Sequence, residues 1–233
     1  MSVDWHIRVE NKVNEILNKY AITHCPAKEL NRIAQSEGLT LIPVDHDDDS
    51  CGFLDEFKNI YYNSNMIKSR YNFTIAHEFG HYFLNHELRG EYSRLYRDFT
   101  KVEYEKDPQE VEANYFAACF LIPRSMARPV FNRLTNQLSN IYIKPVRIEN
   151  ENSNLEELSH LVSAYKNNFL VSTQTAFYRL ITLGYAKVYD NFDMNCLYKE
   201  KLIIKGLNSI LPSINAFSNK LVVFDNYSDL FID

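Results

Sequence analysis

Two histidines spaced four residues apart, with a glutamate directly after the first, constrain this chain more than any other feature. Residues 77–81 read HEFGH inside an apolar stretch whose periodicity predicts a helix over residues 71–86. Side chains four positions apart share a helix face, so His77 and His81 can reach one metal ion. Glu78 lies about 100° further around the axis, where a base can take a proton from metal-bound water. The pattern indicates a metal-dependent hydrolase, although two surface histidines on an ordinary helix would give the same letters.

The surroundings of this motif favour the metal-binding interpretation. Apolar side chains flank it on both sides, and burying two unpaired histidines among them would cost a few kcal/mol. Gly80 costs about 1 kcal/mol relative to alanine inside a helix. Its presence indicates that a sheet or a second helix packs closely at this position.

A catalytic zinc site needs a third protein ligand and one open position. A second predicted helix, over residues 108–122, offers Glu110 and Glu112. We prefer Glu110 because its face carries small alanines, which would let two helices approach closely. Glu112 points about 200° away around the axis and is the alternative metal ligand. The usual position of a glutamate, a solvated helix face, is the competing interpretation for both.

Two histidines and one glutamate form a ligand set that suits Zn²⁺. Asn114, one turn after Glu110, is placed to orient a ligand histidine. His86 points about 140° away from His81, so we expect it to support the site rather than to act in catalysis. The group that stabilises the oxyanion is not assigned, with His86 and Tyr82 as candidates.

Two blocks of the sequence resemble the ImmA/IrrE family of metallopeptidases. Residues 73–86 read FTIAHEFGHYFLNH, which is similar to the family signature FTxAHExGHxxLxH. Residues 110–123 read EVEANYFAACFLIP, which is similar to the second block of that family. The resemblance covers about residues 27–123 well and is looser over residues 155–184.

This resemblance implies a zincin-like fold and zinc-dependent, site-specific proteolysis. The implied target is a DNA-binding repressor, whose cleavage would release stress-response or mobile-element genes. His77, His81 and Glu110 would be the metal ligands, and Glu78 the catalytic acid and base.

The chain as a whole is expected to have an α+β fold, with a zincin-like helical core and a small three-stranded antiparallel sheet. The strands are expected near residues 39–44, 51–54 and 58–62. A polar linker around residues 150–154 predicts a boundary between a metallopeptidase domain (1–149) and a C-terminal helical segment with a β-containing tail (150–233).

The C-terminal segment contains a helix-turn-helix-like pattern over residues 155–185. Residues 155–187 hold three basic and two acidic side chains, a net charge of +1, which is too little for a phosphate-binding face. We therefore favour packing or substrate docking over direct DNA binding. The possible groove contacts of the second helix are Ser172, Thr173, Gln174, Thr175 and Arg179.

The composition is that of a globular protein, with 45% hydrophobic residues and a net charge of -5. No apolar run approaches the about 18 residues of a membrane span, and the first ten residues do not resemble a signal peptide. With four scattered cysteines, we expect a cytoplasmic protein with reduced thiols.

Two alternatives to the peptidase stay open: a DNA-binding transcriptional regulator that keeps the core as a scaffold, and a toxin/antitoxin-type interaction module.

Overall fold

The structure, a computed structural model, describes residues 4–45, 52–87, 107–138, 146–148 and 155–188. The chain divides into two compact units. One comprises Met1–Val130 and Tyr165–Ser172, and the other comprises Phe131–Ala164 and Thr173–Asp233. The boundary predicted between residues 149 and 150 and the tail predicted after residue 190 lie outside the described residues and stay predictions.

Seven helices and five strands are present in the described part of the chain. The helices are α1 (Asp4–Lys19), α2 (Leu30–Glu37), α3 (Lys68–Phe83), α4 (Pro108–Leu121), α5 (Arg124–Leu138), α6 (Leu155–Phe169) and α7 (Thr173–Thr182). The strands are β1 (Thr40–Val44), β2 (Gly52–Leu54), β3 (Asn59–Asn63), β4 (Val146–Ile148) and β5 (Ala186–Val188). Among the described helices, none combines the length and the apolar character needed to cross a membrane.

The sheet of the first unit has the strand order β1-β3-β2. Strand β2 runs antiparallel to β3, with Gly52 opposite Tyr62, whereas β1 runs parallel to β3, with Thr40 opposite Asn59. The α+β class and the three-stranded sheet are thus confirmed, but the expectation of an entirely antiparallel sheet is wrong for one strand pair. A short turn joins β2 to β3, so these two strands form an antiparallel hairpin. Strand β1 pairs with the other edge of β3 and runs in the same direction as β3.

Helix α3 packs against both the sheet and α4. A Cβ atom added at Gly52 of β2 would lie 2.7 Å from Cγ2 of Thr74, so strand and helix are in direct contact. On the side of α4, Phe79 meets Phe120 edge to face with ring centroids 6.1 Å apart. This apolar packing on two sides fixes the orientation of α3.

The beginning of α4 follows its sequence closely. Asp107 caps the helix, because its carboxylate accepts a hydrogen bond from the backbone N–H of Gln109 at 3.0 Å. Pro108 occupies the first helical position, where no backbone donor is needed. Glu110 therefore lies in the first turn of a well-defined helix.

The second unit contains a two-stranded parallel sheet, in which Val146 of β4 pairs with Ala186 of β5. Helix α7 buries Phe177 and Leu180. It also buries Arg179, whose exposed fraction is only 1%. This candidate DNA contact is therefore buried.

Candidate metal centre

Three buried side chains from α3 and α4 meet at one point. Nε2 of His77 lies 3.0 Å from Nε2 of His81. Oε2 of Glu110 lies 3.1 Å from Nε2 of His77 and 3.4 Å from Nε2 of His81. Within the described residues, this is the group of histidine, cysteine and acidic side chains that could hold a metal ion.

The spacing of these three atoms fits a tetrahedral metal ion. Zinc lies about 2.0–2.1 Å from nitrogen and oxygen ligands, which places ligand atoms about 3.3–3.4 Å from one another at the corners of a tetrahedron. The observed separations of 3.0, 3.1 and 3.4 Å are close to that edge length. The three residues could therefore hold a metal ion as one face of a tetrahedron.

Helix α4 also determines which nitrogen of His77 faces the centre. Oδ1 of Asn114 lies 3.0 Å from Nδ1 of His77. Because an amide oxygen only accepts hydrogen bonds, Nδ1 carries the hydrogen and donates a hydrogen bond to it. The Nε2 lone pair then points toward Glu110. This lone pair and the carboxylate of Glu110 repel each other when no positive charge lies between them. A cation bound between them would remove that repulsion.

The titration of these groups reflects the same need for positive charge. Burial alone would lower the pKa of His77, but the hydrogen bond to Glu110 and the negative charges of Glu78 and Glu110 outweigh it and raise that pKa. Burial likewise opposes ionisation of Glu110. When the imidazoles of His77 and His81 carry a second proton, on Nε2, they donate hydrogen bonds to Glu110. These bonds and the positive charges outweigh the effect of burial and lower the pKa of Glu110 well below its usual range.

Glu78 is 4% exposed, yet one of its carboxylate oxygens, Oε2, has no hydrogen-bond partner among the described residues. A buried acceptor without a donor is costly to the fold. Such strain is common where a residue is kept for function. Because it directly follows His77, Glu78 lies about 100° around α3 from that histidine, beside the face that His77 and His81 share.

Glu112 does not join the three-residue group. Its carboxylate pairs with Arg8 of α1 and lies 3.3 Å from Nε2 of His86. His86 in turn has its Nδ1 3.1 Å from Nδ1 of His81. Burial and the charges of His81 and Arg8 lower the pKa of His86, and they outweigh the opposing effect of Glu112.

The close packing indicated by Gly80 occurs at Ala113. A Cβ atom added at Gly80 would lie 2.9 Å from Cα of Ala113, closer than real Cβ atoms come to other atoms, and 3.1 Å from the backbone oxygen of Ala113, which is a tight contact. Ala113 lies between Glu110 and Asn114 along α4. The absence of a side chain at Gly80 thus brings both of these residues within reach of the histidines of α3.

Tyr82 lies away from the three-residue group. Its hydroxyl donates to Oε2 of Glu37 at 3.4 Å and accepts from Nζ of Lys58 at 3.4 Å. The structure therefore does not bring this oxyanion candidate to the histidines and Glu110. Sequence reasoning missed Arg8, which lies 104 positions before its partner Glu112.

An HExxH helix packed against a second helix that contributes a buried glutamate defines the class of zincin-like metallopeptidase folds. The family model of peptidase M78, described as the IrrE N-terminal-like domain, matches residues 35–180. The chain belongs to this family, and the resemblance noted from its two sequence blocks is confirmed.

No significant match was found among curated proteins. Among solved structures, a Mycobacterium tuberculosis transcriptional regulator is similar at 15% identity with a TM-score of 0.45. The similarity covers 76% of this chain and 46% of that one, so this chain spans less than half the length of the regulator.

Proposed function

We propose that this protein is a zinc-dependent endopeptidase. The observation that carries the proposal is the buried group of His77, His81 and Glu110, whose ligand atoms have the spacing of a tetrahedral face. Membership of a peptidase family supports a metallopeptidase at the level of class. The choice of zinc follows from the donor set of two imidazoles and one carboxylate.

The chain supplies metal ligands and a general acid–base for the hydrolysis of a peptide bond. His77, His81 and Glu110 would hold the ion, which when bound provides a Lewis acid and an activated water. Glu78 would accept the proton from the attacking water and deliver it to the leaving amine. Its Oε2 has no hydrogen-bond partner among the described residues, so this oxygen could accept that proton.

We further propose a protein regulator as the substrate, such as a DNA-binding repressor in a stress or mobile-element response. The proposed substrate class rests on the family resemblance. We also propose the cytoplasm as the compartment of the protein.

The DNA-binding alternative is less well supported than the peptidase. Arg179 and Thr175, two of the five candidate groove contacts, are buried. Arg179 is also the only charged residue of α7. Without it, the helix offers no cation for DNA phosphates, which dominate such binding.

The test compares the wild-type protein with Glu78→Gln and His77→Ala. We expect about one zinc per chain in the wild type and in Glu78→Gln, and loss of zinc in His77→Ala. Cleavage should fall by at least about 100-fold in Glu78→Gln, because general acid–base catalysis contributes that much or more. Proteomics of cells carrying the active protein or Glu78→Gln would identify a regulator shortened only by the active form.

Undiminished cleavage by Glu78→Gln would refute the catalytic role. Salt-dependent DNA binding by the wild-type protein would favour the regulator alternative. A stable complex with a partner that is never cut would favour the interaction module.

A further inference from the structure

Arg8 of α1 is connected to the candidate ligand His81 through two intervening side chains. The guanidinium of Arg8 pairs with Oε2 of Glu112 on α4. The same oxygen lies 3.3 Å from Nε2 of His86, and Nδ1 of His86 lies 3.1 Å from Nδ1 of His81. The contacts form a continuous chain from a helix near the N-terminus to the metal-binding face of α3.

The hydrogen positions in this chain follow from its chemistry. A carboxylate only accepts hydrogen bonds, so Nε2 of His86 must carry a hydrogen toward Glu112. A neutral His86 then has a bare Nδ1, which accepts the Nδ1 hydrogen of His81. His81 in that tautomer has its lone pair on Nε2, the atom that faces His77 and Glu110. The reverse arrangement would place a hydrogen on Nε2 of His81 and prevent it from binding a metal.

The inner part of this chain of contacts is more buried than its outer end. The side chain of His86 is 5% exposed and that of Glu112 is 14% exposed, whereas the side chain of Arg8 is 54% exposed. Leaving the Glu112 carboxylate partly buried without a cation would be unfavourable. Arg8 supplies that cation. It lies before the segment that the family model matches, which begins at residue 35.

We propose that Arg8, Glu112 and His86 are positioning residues that hold His81 in the tautomer required for metal binding. The inference rests on the proposed function, because it takes His81 as a metal ligand. Asn114 performs the same task for His77 directly, whereas His81 depends on three residues from three parts of the chain. The N-terminal helix α1 thereby becomes part of the metal centre without contacting the ion.

The first measurement is the Zn²⁺ affinity of the full chain by competition with a chelating dye. We expect Glu112→Ala and His86→Ala to weaken zinc binding by about 10–100-fold, the usual effect of removing the partner of a ligand histidine. Arg8→Ala should weaken it by about two- to fivefold, because Arg8 is largely exposed and such ion pairs are weak. Arg8→Lys should restore most of the loss.

The second measurement is made on the metal-free protein by NMR of the imidazole ¹⁵N nuclei. In the wild type, the shifts of His81 should report a hydrogen on Nδ1 and a lone pair on Nε2. In Glu112→Ala the two tautomers of His81 should mix. A purely structural role of Glu112 would leave these shifts unchanged.

Glu10→Ala is the matched control. Glu10 also lies on α1 and accepts hydrogen bonds from Tyr115 of α4 at 3.0 Å and from Arg124, at the start of α5, at 3.2 Å. Its removal should lower thermal stability and leave both zinc affinity and the His81 shifts unchanged.

Unchanged zinc affinity and unchanged His81 shifts in Glu112→Ala would overturn the inference. An equal loss of affinity in Glu10→Ala and Arg8→Ala would also overturn the part assigned to Arg8. Failure of the wild type to bind zinc would refute the proposed function instead, and the NMR comparison would still decide whether the chain of hydrogen bonds sets the tautomer.

Discussion

Both ring nitrogens of His77 are met by residues of the same helix, with Asn114 3.0 Å from Nδ1 and Glu110 3.1 Å from Nε2. The two residues lie about one turn apart on α4. One helix thus sets both the tautomer of the histidine and the position of the neighbouring ligand. The geometry of the centre depends on how precisely α4 is placed against α3.

Asn114→Ala is expected to weaken Zn²⁺ binding by about 10–100-fold, because His77 would lose the acceptor that holds its Nδ1 hydrogen. Asn114→Asp keeps an oxygen at this position and should bind zinc more tightly than Asn114→Ala. Dye competition measures both affinities. Equal affinities of Asn114→Ala and the wild type would show that the amide does not orient the ring.

Glu110→Ala and Glu112→Ala are expected to have different effects on zinc retention. Glu110→Ala removes a ligand, so zinc should be lost on desalting, with a larger effect than the about 10–100-fold expected for a supporting residue. Glu112→Ala should still take up one zinc per chain when the metal is in excess. Elemental analysis after desalting and after saturation separates the two, and full retention of zinc by Glu110→Ala would contradict the ligand assignment.

Gly80→Ala should destabilise the protein although alanine is the better helix former by about 1 kcal/mol. The new methyl group would meet the main chain of Ala113 at 2.9 Å, and such overpacking costs about 1–3 kcal/mol. We expect a lower free energy of unfolding in urea and weaker zinc binding, since the helices must separate.

Gly38→Ala is the control for that variant. Gly38 ends α2 with φ +71° and has open space around it, so alanine should reduce stability through backbone strain alone. Its zinc affinity should match the wild type. Equal zinc affinities of Gly80→Ala and Gly38→Ala would contradict the role given to the contact between α3 and α4.

Asp55→Asn should destabilise the turn before β3 in a pH-dependent manner. Asp55 is buried and accepts hydrogen bonds from the backbone N–H groups of Phe57 at 2.9 Å and Asn59 at 2.7 Å. Burial opposes its ionisation, but these bonds and those from the side chains of Asn59 and Tyr61 outweigh burial and lower its pKa. Replacement should cost about 1–3 kcal/mol near neutral pH.

Because the pKa of Asp55 is lower in the folded state, its charge stabilises the fold above the unfolded value of about 4. That contribution is lost as the pH falls through the folded-state pKa. The difference in stability between Asp55→Asn and the wild type should therefore shrink in acid. Urea unfolding of both proteins across this pH range measures the difference. Glu56→Gln, a substitution of the exposed neighbour, is the control and should have little effect on stability. A stability difference between Asp55→Asn and the wild type that does not depend on pH would contradict the role of the charge.

Local spacing explains what could be predicted from the sequence and what could not. The joint orientation of His77 and His81 depends only on helix geometry, and Gly80 with the alanines around Glu110 indicated where two helices meet. The parallel pairing of β1 with β3 depends on contacts between distant segments. The link from Arg8 to Glu112 spans 104 positions, and an arginine on an amphipathic helix carries no local sign of such a partner.

His77 and Glu110 are 33 positions apart in the chain, so an ion bound between them would act as a cross-link that the unfolded chain lacks. Ligand binding to the native state alone adds about 2.7 kcal/mol when the free ligand is 100 times its Kd. The lifetime of the folded protein in a cell would then follow the local supply of zinc. A shortage of the metal would then favour unfolding and degradation of the protein.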